Sequence, residues 1–302
     1  MNAHKILIFL LLWSCCAAAK GANLIDAAAE FERSVRSHAQ AELTTTQLKQ
    51  KVVEAFTESN LSSVLENLDV LTVTERDALF RALKQKSFYL SRASDAIAIE
   101  KVGLTLLSDS SRRASIVRDV YGELVAARQF ERAMSWRDRN KQVDVGSLPS
   151  FVDKLPDDRA PSLWVAQRKN VLERVNAEHT DQLMLVAVVS LNCGFSRAAL
   201  TQLAARDEFT QKVKGRALWI VPGERSLDFE RIAKWNGDNP SLQLSLVHKE
   251  QDWTFVDDWS TPTFYIMHEG KVVDRVVGWP RDGSNEAILV NAISKVRGKV
   301  SR

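Results

Sequence analysis

Residues 183–200 are LMLVAVVSLNCGFSRAAL, and this stretch decides the fold of the second half of the chain. Its first part, Leu183 to Val189, is an unbroken apolar run rich in valine, which is typical of a strand buried on both faces. Asn192 is a favourable helix cap, and residues 197–205 are good helix formers. The stretch therefore predicts a central strand followed by a helix, with Cys193 in the first turn of that helix.

A cysteine in the first turn of a helix is chemically activated. The unpaired backbone N–H groups and the positive end of the helix dipole favour the thiolate over the thiol. Cys193 is therefore the candidate nucleophile. The order of strand, cysteine and helix resembles the way in which a thioredoxin-like domain presents its reactive cysteine.

Further segments extend this resemblance over residues 161–298. Cys193-Gly194-Phe195-Ser196 matches the first cysteine of Cys-x-x-Cys and replaces the second by Ser196. Thr261-Pro262-Thr263 looks like the family's cis-proline, which lies against the cysteine and starts a strand. Residues 270–278 resemble the last hairpin and residues 286–296 the closing helix. An extra helix and strand, at residues 226–235 and 242–247, are similar to the insertion in periplasmic thioredoxins of the TlpA and DsbE type.

The resemblance implies a fold and a site. The expected fold is α plus α/β, with an N-terminal all-helical domain followed by a thioredoxin-like three-layer α/β/α domain with a mixed central sheet. It implies catalytic roles for Cys193, Ser196 and Pro262. It implies contacts with a client protein for Thr261, Gly194, Phe195 and Trp259. No metal and no cofactor are expected.

Departures from the family pattern define what the site can do. Ser196 cannot resolve a mixed disulfide, although its hydroxyl can hydrogen-bond to a Cys193 thiolate. Ala187 replaces the family's buried aspartate, and Asn192 replaces the aromatic residue before the cysteine. The expected function is therefore mixed-disulfide formation with client or partner thiols, without self-resolution.

Two alternatives stay open. Cys193 is inert in the first, and the chain is a binding or chaperone-like module with a thioredoxin fold. The second is a glutathione-linked monothiol oxidoreductase, because Cys-Gly-Phe-Ser is also the signature of monothiol glutaredoxins. Residues 278–281, Gly-Trp-Pro-Arg, stand where a glutathione clamp would be expected.

The N-terminus has the layout of a secretory signal peptide over residues 1–19. Lys5 precedes the apolar stretch Ile6 to Trp13, and Ala17 to Ala19 offers a small-residue cleavage site. The stretch is too short to span a bilayer. The protein is expected to be exported to the periplasm, with lipid attachment at Cys15 or Cys16 as the alternative. Cleavage would leave Cys193 as the only thiol.

Residues 20–145 are predicted to form an all-helical domain, and the proline-rich residues 146–160 a linker. Thr46 and Thr74 are the predicted starts of two of the helices. Residues 120–133 resemble one tetratricopeptide hairpin, so the domain is either an irregular bundle or a degenerate repeat array that binds a protein partner. Helices are predicted at residues 24–41, 46–58, 61–68, 74–91, 93–107, 111–127 and 129–140.

The remaining features are less specific. The net charge of +3 is thinly spread, so nucleic acid is not an expected partner. No other long apolar run follows the N-terminal one, so no membrane span is expected. Residues 164–175 are predicted to form the first helix of the second domain. Trp279, like Trp259, is predicted to line a client groove. The histidines lack the spacing of a metal site, and Glu224 and Arg225 are assigned no role.

Overall fold

The structure is a computed structural model that describes residues 24–108, 111–156, 161–168, 170–177 and 182–300. The predicted signal peptide lies outside the described residues. Internal contacts divide the chain into two units. The first contains the residues up to Leu124 and Ser135–Val145, and the second contains Val125–Met134 and the residues from Gly146 onward.

The described chain before Gly146 is helical. The helices begin and end within two residues of the predicted positions, except that the predicted helix at 61–68 is two short 3₁₀ segments, Leu61–Glu66 and Leu68–Val70. The helices are α1 (24–40), α2 (Thr45–Glu58), α3 (Val73–Leu90), α4 (Ala93–Leu106), α5 (Arg113–Ala126) and α6 (Phe130–Arg139).

Capping boxes fix the starts of α2 and α3. Thr44 and Thr72 each accept a backbone N–H three residues ahead. The side chains of Gln47 and Glu75 accept in return from the backbone N–H of the cap. The two helices therefore start at Thr45 and Val73, one residue before the predicted starts at Thr46 and Thr74, because the reciprocal partner three positions on makes Thr44 and Thr72 the caps.

The second unit contains an eight-stranded mixed sheet in the order β1-β3-β2-β6-β5-β4-β7-β8. Strands β4, β5 and β6 run parallel to one another, whereas β7 is antiparallel to β4. The strands are β1 (Ser150–Val152), β2 (Ser162–Arg168), β3 (Val171–Asn176), β4 (Leu185–Val188), β5 (Ala217–Val221), β6 (Leu244–Val247), β7 (Thr263–His268) and β8 (Lys271–Val277). The helices are α7 (Gly194–Ala204), α8 (Asp207–Val213), α9 (Phe229–Asp238) and α10 (Ser284–Val300).

The predicted helix at residues 164–175 is wrong, because this segment forms the antiparallel pair β2 and β3. Asn170, with a φ of 60°, lies in the connection between the two strands. Asparagine tolerates this left-handed conformation better than most residues, so it favours a turn here. A short strand, β1, also lies within the predicted linker and pairs with β3.

The strand predicted to be central is central. All four residues of β4 are buried, and β4 lies between β5 and β7. One buried cluster includes residues of β4, β5, β7 and the loop that precedes β7. The apolar run therefore places the end of β4, and the cysteine that follows, beside the beginning of β7.

Candidate functional site

Cys193 is the N-cap of α7, with extended backbone angles (φ −86°, ψ 124°). Its carbonyl oxygen accepts the first helical hydrogen bond from the Arg197 N–H at 3.0 Å. Asn192, predicted to cap the helix, does not do so. Its side-chain amide instead donates to Glu224 Oε2 at 2.9 Å and to the Ser226 carbonyl oxygen at 2.7 Å. The helix therefore begins one residue later than its sequence suggests.

The register of the sheet brings Pro262 to the cysteine. Val188 at the end of β4 is directly opposite Thr263 at the start of β7, and the Thr261–Pro262 peptide bond is cis. The Cys193 thiol donates to the Thr261 carbonyl oxygen at 3.1 Å. Two segments nearly seventy residues apart in sequence thus form one site.

The environment of Cys193 favours the thiolate on balance. Partial burial opposes ionisation, but it is outweighed by hydrogen bonds from the Ser196 N–H, the Thr261 hydroxyl and the Phe195 N–H, and by the Ser196 hydroxyl. The pKa of the thiol is therefore lowered from its ordinary value. The Thr261 carbonyl oxygen accepts only from the protonated thiol, so the donors account for the direction of the shift.

Ser196 is fully buried, and no partner in the described part of the chain meets hydrogen-bond geometry with its hydroxyl. A buried hydroxyl that makes no hydrogen bond lowers the stability of the folded state. The hydroxyl lies close enough to Cys193 to help lower the pKa of the thiol. Its position is therefore compatible with the role predicted for it, stabilisation of a thiolate.

The other predicted contact residues differ in their surroundings. Phe195 is exposed over 53% of its surface, and the neighbouring Gly194 is exposed and has no positive φ. Trp259 is half-buried and packs against the cluster that includes β4. Trp279 is buried, packs against Phe264 and donates its indole N–H to Gln202, so its predicted place in a client groove is wrong.

Sequence reasoning missed Glu224, which follows β5. Burial raises the pKa of its carboxyl group, although hydrogen bonds from Ser190 and Asn192 and the charge of Arg128 act in the opposite direction. A signal for this residue existed, because residues 185–188 and 217–221 are both apolar runs, and the structure pairs them as the parallel strands β4 and β5. Their carboxyl ends meet at one edge of the sheet, which places Glu224 near the loop before Cys193.

Sequence reasoning also missed Arg128, which contacts the ends of β5 and β6. Its buried guanidinium donates to the carbonyl oxygens of Pro222 at 2.8 Å and Val221 at 3.3 Å, beyond and at the end of β5. It also donates to the Val247 carbonyl oxygen, at the end of β6, at 2.9 Å. Burial lowers its pKa to about 10, against the opposing charges of Glu224 and Glu250. The side chain is still a cation at neutral pH.

The described residues contain neither a candidate metal site nor a candidate membrane-spanning helix. No group of three or more His, Cys, Asp or Glu side chains there is placed to hold a metal ion. Within the same residues, no helix combines the length and the hydropathy that a bilayer crossing requires. Comparison of the chain with protein-family models, with curated proteins and with solved structures finds no match.

Proposed function

We propose that the second unit is a thioredoxin-like domain of an exported protein, and that its Cys193 forms mixed disulfides with client or partner proteins. One observation carries the proposal. The sulfur lies at the N-terminus of α7 and contacts the carbonyl oxygen of Thr261, the residue before a cis-proline. The reactive cysteine of a thioredoxin-like domain is expected in this position, at the start of a helix and beside the cis-proline.

The order of elements supports the same fold. The cis-proline precedes a strand, β7, which pairs with β4 and then with β8 in a hairpin, and α10 closes the chain. The segment between β5 and β7 contains α9 and β6, where the insertion of the TlpA and DsbE type is expected. These features come from the topology and are independent of the cysteine.

The proposed reaction is thiol–disulfide exchange. The Cys193 thiolate attacks one sulfur of a client disulfide, a bond forms between that sulfur and Sγ, and the second client sulfur leaves as a thiolate that takes up a proton. The number of disulfide bonds is unchanged. Because Ser196 carries no thiol, release requires attack by the client's own second thiolate or by a small thiol such as glutathione.

Acid quenching followed by blocking of free thiols tests the proposal in cells. Adducts of the wild-type chain are separated without reduction and identified by mass spectrometry. We expect disulfide-linked proteins that disappear in Cys193→Ser. They should become scarcer in Ser196→Cys, because that variant supplies a resolving thiol. Recovery of Cys193 only as a free thiol in the wild type would refute the proposed reaction.

A binding module with an inert cysteine is the second candidate. It is favoured by the hydrogen bond from the thiol to the Thr261 carbonyl oxygen, which only the protonated form can make. In that case Cys193→Ser retains the same set of non-covalent partners, and no partner of the wild type is linked through sulfur.

A further inference from the structure

A carboxylate links the loop that carries Cys193 to the loop that follows β5. Asn192 donates both hydrogens of its side-chain amide across this gap, one to Glu224 Oε2 and the other to the Ser226 carbonyl oxygen. The Asn192 backbone N–H donates to Ser190 Oγ at 2.9 Å, and the Ser190 hydroxyl hydrogen-bonds to Glu224. Glu224 therefore accepts from two of the three residues that precede Cys193.

These hydrogen bonds lie in residues 190–192, between the last backbone bond of the sheet at β4 and the start of α7. The last backbone bond in line with β4 is from the Val189 N–H to the Ile220 carbonyl oxygen at 2.9 Å. Between it and the first bond of α7, the chain turns through Ser190 and Asn192. Asn192 is exposed, so its position depends on its hydrogen bonds rather than on packing. The turn is closed by a backbone bond from the Cys193 N–H to the Ser190 carbonyl oxygen at 3.3 Å, and the Asn192 side chain adds the bonds that tie this turn to the loop after β5.

Charged groups surround Glu224 from several elements. Arg128, in the turn between α5 and α6, and Arg231, on α9, both favour its ionised form. Glu250, in the 3₁₀ turn after β6, is a second acidic group that acts on Arg128, and its carboxylate accepts from the Gly223 N–H at 3.1 Å. Burial outweighs the two cations, so the pKa of Glu224 is raised from its ordinary value.

We propose that Glu224 is a positioning residue for Cys193, whose carboxylate acts through Asn192 and Ser190 to hold the sulfur against the N–H groups of α7 and against Thr261. The inference deepens the proposed function, because it concerns the same sulfur. It does not need a client, since the reactivity of the thiol towards a small alkylating agent reports the same arrangement.

Protonation of Glu224 gives this role a signature. Hydrogen bonds to a carboxylate are stronger than hydrogen bonds to a neutral carboxyl group. As the pH falls, protonation of Glu224 weakens its hydrogen bonds to Asn192 and Ser190. Protonation of the Cys193 thiolate lowers the reactive fraction over the same range. The logarithm of the alkylation rate should then fall with a slope steeper than one proton per pH unit, over the range in which Glu224 titrates.

The test is the rate of iodoacetamide alkylation of Cys193 between about pH 5 and pH 9. Mass spectrometry follows the peptide that contains Cys193, so that Cys15 and Cys16 do not contribute. Glu224→Gln keeps an acceptor for Asn192 but cannot ionise, and it should restore a slope of one. Glu224→Ala removes the acceptor. If the thiol pKa rises by one unit, alkylation slows about three- to fourfold below that pKa, because the more basic thiolate is the better nucleophile.

Two further variants keep the result decisive. Glu230→Gln changes an exposed carboxylate in the first turn of α9 and should overlay the wild-type profile. Should Glu224→Ala fail to fold, Asn192→Ala removes the same hydrogen bond from the other side and should give the same slowing. Profiles of Glu224→Gln and Asn192→Ala that both coincide with the wild type would overturn the proposal. An altered profile in a chain that forms no mixed disulfides would instead reject the proposed function alone.

Discussion

Arg128→Met should strongly destabilise the second unit. The arginine bonds four backbone carbonyl oxygens, those of Val125 at 3.2 Å, Val221 at 3.3 Å, Pro222 at 2.8 Å and Val247 at 2.9 Å. Methionine retains much of the apolar stem and has no donor. The variant therefore isolates the hydrogen bonds from the packing contribution of the side chain.

The expected loss follows from the two shortest bonds. A buried carbonyl oxygen left without a partner costs about 1–3 kcal/mol, so the Pro222 and Val247 oxygens together cost about 2–6 kcal/mol. Part of this is offset, because burial of the cation is itself unfavourable, as its lowered pKa indicates. We expect a net loss of about 3 kcal/mol, near the lower end of the range for breaking a buried charged interaction.

Urea unfolding monitored by tryptophan fluorescence measures this loss, since Trp164, Trp219 and Trp253 are buried in the second unit. Arg118→Met is the matched control, because Arg118 is exposed on α5. It should change the free energy of unfolding by less than about 0.5 kcal/mol. If Arg128→Met costs less than about 1 kcal/mol, the hydrogen bonds of Arg128 to the ends of β5 and β6 do not stabilise the second unit and the reasoning is refuted.

Two other variants test the site and the helical unit. Ser196→Ala should raise the pKa of the Cys193 thiol, because one of the groups that lower it is removed. Thiolate absorbance as a function of pH measures the change, and an unchanged or lower thiol pKa would contradict this account. Gly103→Ala should destabilise the protein by about 1–3 kcal/mol in thermal unfolding, because the new Cβ would lie 2.6 Å from Val120 Cγ2. Gly237→Ala, in open space on α9, should instead stabilise the protein by about 0.5–1 kcal/mol. Equal changes in stability for the two variants would show that the contact with Val120 does not cause the loss at Gly103.

The sequence predicts those parts of the fold in which local pattern and burial agree. Leu183 to Val189 is apolar throughout, and a strand buried on both faces requires this composition. The helices before Gly146 have clear periodicity and no proline, so their positions are predicted to within two residues. The starts of α2 and α3 depend on Gln47 and Glu75, the reciprocal capping partners, and both are visible in the sequence three residues after Thr44 and Thr72.

The strands β2 and β3 were mistaken for a helix for a different reason. Residues 164–175 contain Ala, Gln, Arg, Lys, Leu and Glu, all good helix formers, and no glycine or proline. Pairing partners decide their conformation instead, because Leu163 pairs with Val175 on one side and with Val247 on the other. Such tertiary pairing overrides a local preference that is worth only a fraction of a kcal/mol per residue.

Glu224 and Arg128 lie at a position that only topology creates. Since β4, β5 and β6 are parallel, their carboxyl ends meet at one edge, and the residues that follow them include Cys193, Glu224 and Glu250. Arg128 binds the ends of two of these strands and supplies a positive charge that lowers the pKa of Glu224. Loss of that charge should therefore raise the pKa of Glu224 further, so that its carboxylate is protonated at a higher pH. In folded Arg128→Met, the steep part of the Cys193 alkylation profile should move to higher pH, and a shift to lower pH would contradict the coupling of Arg128 to the cysteine through Glu224.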